Sequence, residues 1–180
     1  KDEAEMQSWF IGRMDAFLTE RGRRLIGWDE ILEGGLAPGA TVMSWRGEKG
    51  GIAAAQAGHD VVMAPTSHTY LDYCQGPPEK EPLAIGGLVT LETVYGYEPV
   101  PKQLTAEQAR HVLGGQGQLW AEYLPSPMQV EYMAFPRAAA LAEVLWSPPE
   151  RRDYQEFLSR LREHLKRLDR LDVNYRKLDR

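Results

Sequence analysis

Cysteine and histidine are scarce in this sequence, and their scarcity excludes several kinds of site. Cys74 is the only cysteine, so no internal disulfide and no thiolate metal cluster can form. The histidines show no paired spacing of the kind that metal ligands have. They are His59, His68, His111 and His164. Nothing in the sequence therefore indicates a metal centre.

Long apolar runs and concentrated positive charge are lacking as well. No apolar run approaches the roughly 18–20 residues that a membrane span needs, and the first residues, Lys1-Asp2-Glu3, do not form a signal peptide. The formal net charge is −5, and Lys and Arg are scattered until the last helix, so no basic stripe is available to a phosphate backbone. We expect neither a membrane nor a nucleic acid as a partner, and the compartment is left open.

The sequence does have the composition of a globular domain. Of its 180 residues, 43% are hydrophobic and 26% are charged, which suits one domain or a piece of one. The chain begins without a methionine, inside a helical pattern of a kind that normally follows a strand. From this we expect that something upstream has been removed.

Short apolar segments alternate with helical patterns along the chain. The predicted strands cover 24–28, 41–45, 60–65 and the glycine-rich stretch 114–122. The predicted helices cover 3–20, 51–57, 91–95, 105–110, 128–146 with a break at Pro136, and 153–171. We interpret Trp9 and Trp146, on apolar helix faces, as packing residues. The alternation predicts an α/β fold of parallel β/α units.

Aromatic and acidic residues follow the predicted strands. In parallel β/α barrels the chemistry gathers at the carboxyl ends of the strands. Three tryptophans end predicted strands, and a tyrosine and two carboxylates lie near them in the sequence. These residues are Trp28, Trp45, Trp120, Tyr70, Asp72 and Glu122. We expect them to converge in a pocket that is apolar inside and acidic at its lip.

The stretch 114–122 suggests what such a pocket binds. Trp120 and Glu122 are two positions apart, so in a strand both side chains point to the same side. An indole face beside a carboxylate suits a sugar ring, whose C–H face packs on the aromatic while its hydroxyls donate to the acid. The alternative is that Trp120 is a core residue and Glu122 a solvated loop acid.

Six motifs occur in order across most of the chain. They are Gly27-Trp28-Asp29-Glu30-Ile31, Met43-Ser44-Trp45, Tyr70-Leu71-Asp72, the run from Gly115-Gln116 to Leu119-Trp120-Ala121-Glu122, Glu131-Tyr132-Met133 with Pro136-Arg137, and Ala140-Leu141-Ala142-Glu143 with Trp146-Ser147. As a set they resemble the C-terminal half of family-20 β-N-acetylhexosaminidases. The resemblance implies half of a (β/α)8, or TIM, barrel with strands like its fifth to eighth. We expect one partial barrel domain over 1–180, with 150–180 as its C-terminal helix and tail.

The resemblance also implies a role for each matched site residue. Trp28, Trp45 and Trp120 would wall the subsite for a terminal N-acetylhexosamine of glycans, chitooligosaccharides or glycoconjugates. Tyr70 would donate to the acetamido oxygen, which in this family attacks the anomeric carbon itself. Asp72 and Glu122 would accept hydrogen bonds from the outer sugar hydroxyls. No metal or organic cofactor is implied.

One family motif is missing from these residues. The general acid of the family is a glutamate in a His-x-Gly-Gly-Asp-Glu motif on the fourth barrel strand, and the sequence contains no such motif. Asp29-Glu30 is an adjacent Asp-Glu pair, but it follows Gly27-Trp28 and so matches the fifth strand. We interpret Glu30 as a decoy rather than the acid.

Three hypotheses about function follow. The first is the sugar-binding half of a retaining exo-β-N-acetylhexosaminidase whose N-terminal half lies elsewhere. The second is a non-catalytic carbohydrate-binding or assembly module derived from the same barrel. The third is a glycosidase of another specificity that uses Asp72 and Glu122 as its acid pair. Because four parallel strands cannot close a barrel, we also expect open edges on the first and fourth strands and a homodimer that closes an eight-stranded assembly.

Overall fold

Short parallel strands and helices alternate through residues 2–178, the part of the chain that the computed structural model describes. The strands are β1 (Ile26–Trp28), β2 (Thr41–Ser44), β3 (Val61–Met63) and β4 (Val112–Gly115). The α-helices are α1 (Glu3–Thr19), α2 (Lys49–Gln56), α3 (Thr66–Thr69), α4 (Leu91–Tyr95), α5 (Ala106–Ala109), α6 (Pro127–Ala134), α7 (Arg137–Trp146) and α8 (Tyr154–Arg170). The predicted α/β class is confirmed.

The residues form two compact units, which we describe separately. The first unit runs to Thr66 and includes Pro99–Gln116, and the second comprises Ser67–Glu98 with the chain from Gly117 onward. The prediction of one domain over 1–180 stays a prediction.

The first unit holds the sheet, whose strand order is β1-β2-β3-β4. Every neighbouring pair is parallel. Apolar residues of the inner strands fill the unit's core, and Val42, Val61 and Met63 are fully buried. Among the described residues β1 and β4 each pair on one side only, as predicted, and they expose Ile26 (57%) and Leu113 (61%). The described part is therefore an open four-stranded sheet.

Helix α1 differs from its sequence-based interpretation. Asp2 caps it, with its Oδ1 accepting the Glu5 amide at 2.8 Å. The apolar stripe of α1, however, is exposed: Trp9 has 55% of its surface accessible, and the helix buries none of its residues. The prediction that Trp9 is a packing residue is wrong for the described chain. The helical period showed that the stripe exists, but it could not show whether another element covers it.

The helices of the second unit follow the predicted boundaries. Pro136 separates α6 from α7, as expected, and Phe135-Pro136 is a cis peptide. Asp153 caps α8, which buries its apolar stripe of Phe157, Leu161, Leu165 and Leu168. Trp146 instead has 89% of its surface exposed at the end of α7, so its interpretation as a packing residue is wrong.

The glycine-rich stretch also departs from the predicted strand. Strand β4 begins at Val112 and ends at Gly115. Its register slips against β3, and Gly114 has a φ of 143°, a conformation that favours glycine. Gly117 lies in close packing, since an added Cβ would lie 3.0 Å from the Leu141 side chain. Beyond β4 the chain therefore leaves the ladder earlier than the apolar pattern suggested.

Candidate functional site

Two of the predicted site residues follow strands of the first unit. Trp28 is the last residue of β1, and Trp45 directly follows β2. Both are half-buried. The prediction that these tryptophans stand at the carboxyl ends of strands is confirmed.

Asp29 fixes the turn that carries Trp45. Its side chain is almost fully buried, with 1% of the residue exposed. One carboxylate oxygen, Oδ2, accepts the main-chain amides of Trp45 at 3.0 Å and Arg46 at 3.1 Å, and Oδ1 accepts Arg46 Nε at 2.5 Å. The acceptor capacity of Asp29 is thus used by the protein itself.

Glu30 holds the indole of the same tryptophan. Its Oε2 accepts the hydrogen bond from Trp45 Nε1 at 2.9 Å. The Asp29-Glu30 pair therefore orients Trp45 twice, through its main chain and through its ring. The sequence did not reveal these contacts, although an acidic pair beside the end of β1 was the available signal.

The second unit holds Tyr70 and Asp72 on a buried loop. Leu71 donates its amide to the Gln118 carbonyl at 2.8 Å, and Gln118 donates to the Thr69 carbonyl at 2.8 Å. Tyr70 and Asp72 are buried, with 7% and 5% of their surfaces exposed. The loop is therefore held in place by main-chain pairing on both sides of Tyr70.

Asp72 differs from the other buried aspartate in how its oxygens are used. Its Oδ1 is buried, and no described residue donates a hydrogen bond to it. A buried acceptor without a partner is unfavourable in a folded protein, so such an atom calls for an explanation. A ligand hydroxyl is one donor that could satisfy it.

Asp72, Trp120 and Glu122 line one small hollow of the second unit. The remaining lining residues are Leu83, Ala84, Ile85, Tyr123, Leu124 and Met133. The prediction that Trp120 ends a strand is wrong, because it lies five residues beyond β4 and precedes the 3₁₀ turn Ala121–Tyr123. Trp120 and Glu122 were predicted to point to the same side, and both do border the same hollow.

The electrostatics of the hollow centre on Asp72. Burial raises its pKa to about 6, and the nearby charge of Glu122 adds to the rise. A hydrogen bond from its own main chain and the positive charge of Arg137 act in the opposite direction. At neutral pH Asp72 is therefore mostly ionised and able to accept hydrogen bonds.

Arg137 is a residue whose role sequence reasoning missed. It was noted only within the pair Pro136-Arg137, yet it is fully buried. Its guanidinium donates to the carbonyls of Leu71 at 2.7 Å and Tyr73 at 3.0 Å, one on each side of Asp72. A buried arginine gives no distinctive sequence signal, since most arginines are exposed.

Residues 2–178 contain neither a cluster of metal ligands nor a membrane-spanning helix. No group of three or more His, Cys, Asp or Glu side chains there could hold a metal ion. Across those same residues no helix is long and apolar enough to cross a membrane.

Comparisons with known proteins place the chain in a family. Residues 1–149 match the family described as glycosyl hydrolase family 20, catalytic domain. A β-hexosaminidase of Porphyromonas gingivalis is 55% identical over 97% of this chain and 23% of its own length. A β-N-acetylhexosaminidase of Cellulomonas fimi is 32% identical over 92% of this chain and 34% of its own length.

Solved structures agree with the sequence matches. A family-20 exo-β-N-acetylglucosaminidase of Vibrio harveyi, in complex with N-acetylglucosamine, matches with a TM-score of 0.88 at 35% identity, over 98% of this chain and 28% of that one. The β-N-acetylhexosaminidase of Streptomyces coelicolor matches with a TM-score of 0.84 at 27% identity, over 95% of this chain and 36% of that one. The chain thus spans roughly a quarter to a third of these relatives. Its parallel β/α units are part of a TIM barrel, and the chain belongs to glycosyl hydrolase family 20.

Proposed function

We propose that this chain supplies the sugar-binding part of a retaining exo-β-N-acetylhexosaminidase. The enzyme would remove terminal N-acetylhexosamine from glycans, chitooligosaccharides or glycoconjugates. The observation that carries the proposal is the buried Oδ1 of Asp72, an acceptor without a partner among the described residues. It belongs to a hollow shared with Trp120 and Glu122, which has no room for a water molecule in this structure and would have to widen to admit the sugar. An aromatic face beside carboxylate acceptors is the chemistry that a sugar ring requires.

The carboxylates would bind the outer hydroxyls of the sugar. A hydrogen bond to a charged acceptor is worth about 1.5–3 kcal/mol. Asp72 is well suited because burial leaves it little water to exchange for the sugar. Exposed Glu122 would add a weaker contact at the rim. The roles that the resemblance implies for Trp28 and Trp45 stay predictions.

Tyr70 would act on the nucleophile. In the proposed reaction the acetamido oxygen bonds to the anomeric carbon as the glycosidic C–O bond breaks, and the leaving oxygen takes a proton from a general acid. Water then opens the cyclic intermediate with retained configuration. A hydrogen bond from the Tyr70 hydroxyl to the acetamido oxygen would hold that oxygen in line for attack on the anomeric carbon.

The general acid would come from outside these 180 residues. The family's acid motif is not in the sequence, and Glu30 Oε2 already accepts the Trp45 indole. A positioned general acid contributes about 10²–10⁴-fold to the rate. The 180-residue chain alone should therefore hydrolyse an aryl N-acetylglucosaminide at least about 10²-fold more slowly than the full-length protein. Equal turnover by the two would show that Glu30 or another acid in the chain acts.

Tyr70→Phe in the full-length protein tests the proposed mechanism. We expect kcat on an aryl N-acetylglucosaminide to fall more than about tenfold with KM little changed, because orientation of the nucleophile matters most in the transition state. Tyr73→Phe is the matched control, since its ring packs at a centroid distance of 5.5 Å from that of Tyr70 without an assigned contact to the sugar. An unchanged kcat for Tyr70→Phe would remove Tyr70 from the mechanism.

A second candidate is a glycosidase that uses Asp72 and Glu122 as its acid pair. The raised pKa of Asp72 beside a second carboxylate favours it, because a general acid needs such a shift. The two candidates predict different leaving-group effects for Asp72→Asn. If Asp72 is the acid, a dinitrophenyl glycoside, which needs no protonation, should regain most of the lost rate. If Asp72 binds hydroxyls, the loss should be similar for good and poor leaving groups.

Two proposals concern how the barrel is completed. The partial coverage of the relatives supports a remaining portion of the same protein. The predicted homodimer is supported by the open edges, where Ile26 and Leu113 are exposed on β1 and β4. Sedimentation equilibrium of the 180-residue chain separates them, since a monomeric mass over a wide concentration range excludes the dimer.

A non-catalytic module would instead bind sugar in the full-length protein without hydrolysing it.

A further inference from the structure

Arg137 is a charged residue at a fully buried position, where an uncharged side chain could fill the same space. It is among the largest side chains with no exposed surface, and it stands at the first residue of α7, the positive end of the helix dipole. Burial lowers its pKa to about 9. An uncompensated buried cation at such a position is expensive, so an uncharged residue would be the simpler choice for packing.

The hydrogen bonds of Arg137 all go to main-chain carbonyls. Nη1 donates to Tyr73 at 3.0 Å and Val89 at 2.7 Å, and Nη2 donates to Leu71 at 2.7 Å and Met133 at 2.8 Å. Its four described hydrogen bonds include none to a carboxylate, and the nearby Glu81 accepts from Arg176 and Tyr132 instead. The side chain therefore joins three segments of main chain.

Two of these carbonyls belong to the neighbours of Asp72, the residue that we propose binds the sugar. Leu71 and Tyr73 precede and follow Asp72, so the guanidinium holds the main chain on both sides of that residue. The positive charge of Arg137 also favours the ionised form of Asp72. The hydrogen bonds thus fix the main chain around Asp72, and the positive charge keeps its carboxylate ionised. Both effects matter because no other described residue donates to its Oδ1.

We propose that Arg137 is a positioning residue that locks the main chain on both sides of Asp72 and so aims its carboxylate at the sugar. This inference rests on the proposed function. Lysine cannot replace arginine here, since one ammonium is a point charge with three donors, whereas a guanidinium offers a planar fork that reaches several carbonyls at once.

A double-mutant cycle in the full-length protein tests the proposal. The variants are Arg137→Lys, Asp72→Asn and their combination, assayed on an aryl N-acetylglucosaminide. Arg137→Lys alone should lower kcat/KM about tenfold, whereas in the Asp72→Asn background it should lower it by less than about threefold, since residues that act as one unit are not additive. The thermal midpoint should fall equally in both backgrounds.

Arg152→Lys is the matched control. Arg152 also donates to a main-chain carbonyl, that of Tyr97 at 3.0 Å, and it pairs with Glu98, whereas neither partner belongs to the Asp72 loop. We expect a change in kcat/KM of less than about twofold, as for other sites without shared partners. Equal losses for Arg137→Lys in both backgrounds would show a merely structural role and overturn the inference.

A second measurement needs no variant that might fail to fold. In the wild-type protein the amides of Leu71 and Tyr73 should exchange with solvent as slowly as those of the buried strand β3, and fast exchange would contradict a locked loop. If the wild type hydrolyses the substrate while Arg137→Lys keeps full kcat/KM, only this inference fails. If the wild type neither binds nor hydrolyses the sugar, the proposed function fails and this inference with it.

Discussion

Two pairs of carboxylates in this chain lie near tryptophans, and the folded protein uses them differently. Asp29 and Glu30 lie beside Trp45, and Asp72 and Glu122 lie with Trp120 around one hollow. In the first pair Asp29 accepts three hydrogen bonds from the protein and Glu30 accepts the hydrogen bond of an indole. In the second pair Asp72 has a buried Oδ1 to which no other described residue donates.

The difference separates supporting carboxylates from binding carboxylates. A carboxylate that is saturated by protein donors stabilises a local shape and has little left to offer a ligand. One that is buried and unsatisfied is unstable by itself and gains when a ligand supplies a donor. By this criterion Asp29 and Glu30 fix the position of Trp45, and Asp72 and Glu122 are the carboxylates that we propose bind a sugar.

The largest effect should come from removing the saturated carboxylate. Asp29→Ala would leave the partly buried amides of Trp45 and Arg46 without their acceptor, which costs about 3 kcal/mol of unfolding free energy for the two donors together. Denaturant unfolding of the full-length protein measures it. Glu33→Ala is the control, because Glu33 is half-exposed and contacts only the exposed end of Arg46. Similar stabilities for the two variants would contradict the supporting role.

A smaller effect concerns the pH dependence of Asp72. Its pKa in the folded protein is raised to about 6, so the folded state binds the proton more tightly than the unfolded state does. The unfolding free energy should therefore fall as pH rises from about 4 to about 6, and Asp72→Asn should remove this fall. The effect on activity is opposite, since kcat/KM should drop as pH falls through about 6 and Asp72 loses its charge.

The smallest effect should come from Glu30→Gln. Glutamine retains an oxygen that can accept the Trp45 indole, so only the charge-assisted part of this hydrogen bond is lost, about 1 kcal/mol. We expect kcat/KM to fall less than tenfold, with the shape of the pH–rate profile unchanged. If Glu30→Gln instead removes the limb of the pH–rate profile that reports the general acid, Glu30 is that acid. The two pairs of carboxylates would then not differ in the way described.

Much of this arrangement follows from local sequence patterns. The alternation of short apolar runs with helical periods located the parallel strands and the long helices α1 and α8. The motif set identified the family. The positions of Trp28 and Trp45 at the ends of β1 and β2 needed no knowledge of distant contacts.

The failures involved relations between segments far apart in sequence. Apolar residues at helical spacing predicted that Trp9 and Trp146 are covered, but coverage depends on what else packs there, and both are exposed. Strand β4 slips in register against β3 between Val61 and Val62 and ends at Gly115, before Trp120, which periodicity could not show. The four carbonyls around Arg137 come from segments up to 66 residues away, so no local pattern could reveal its burial.

Calorimetric titration of the full-length protein with N-acetylglucosamine tests the central claim most directly. If the hollow of Asp72, Trp120 and Glu122 is part of an N-acetylhexosamine subsite, the wild type should bind N-acetylglucosamine at least about tenfold more tightly than glucose, which lacks the acetamido group. Asp72→Asn should weaken that binding by about tenfold or more, the value of a lost charged hydrogen bond. Equal affinity for the two sugars, or binding that is indifferent to Asp72→Asn, would contradict the claim.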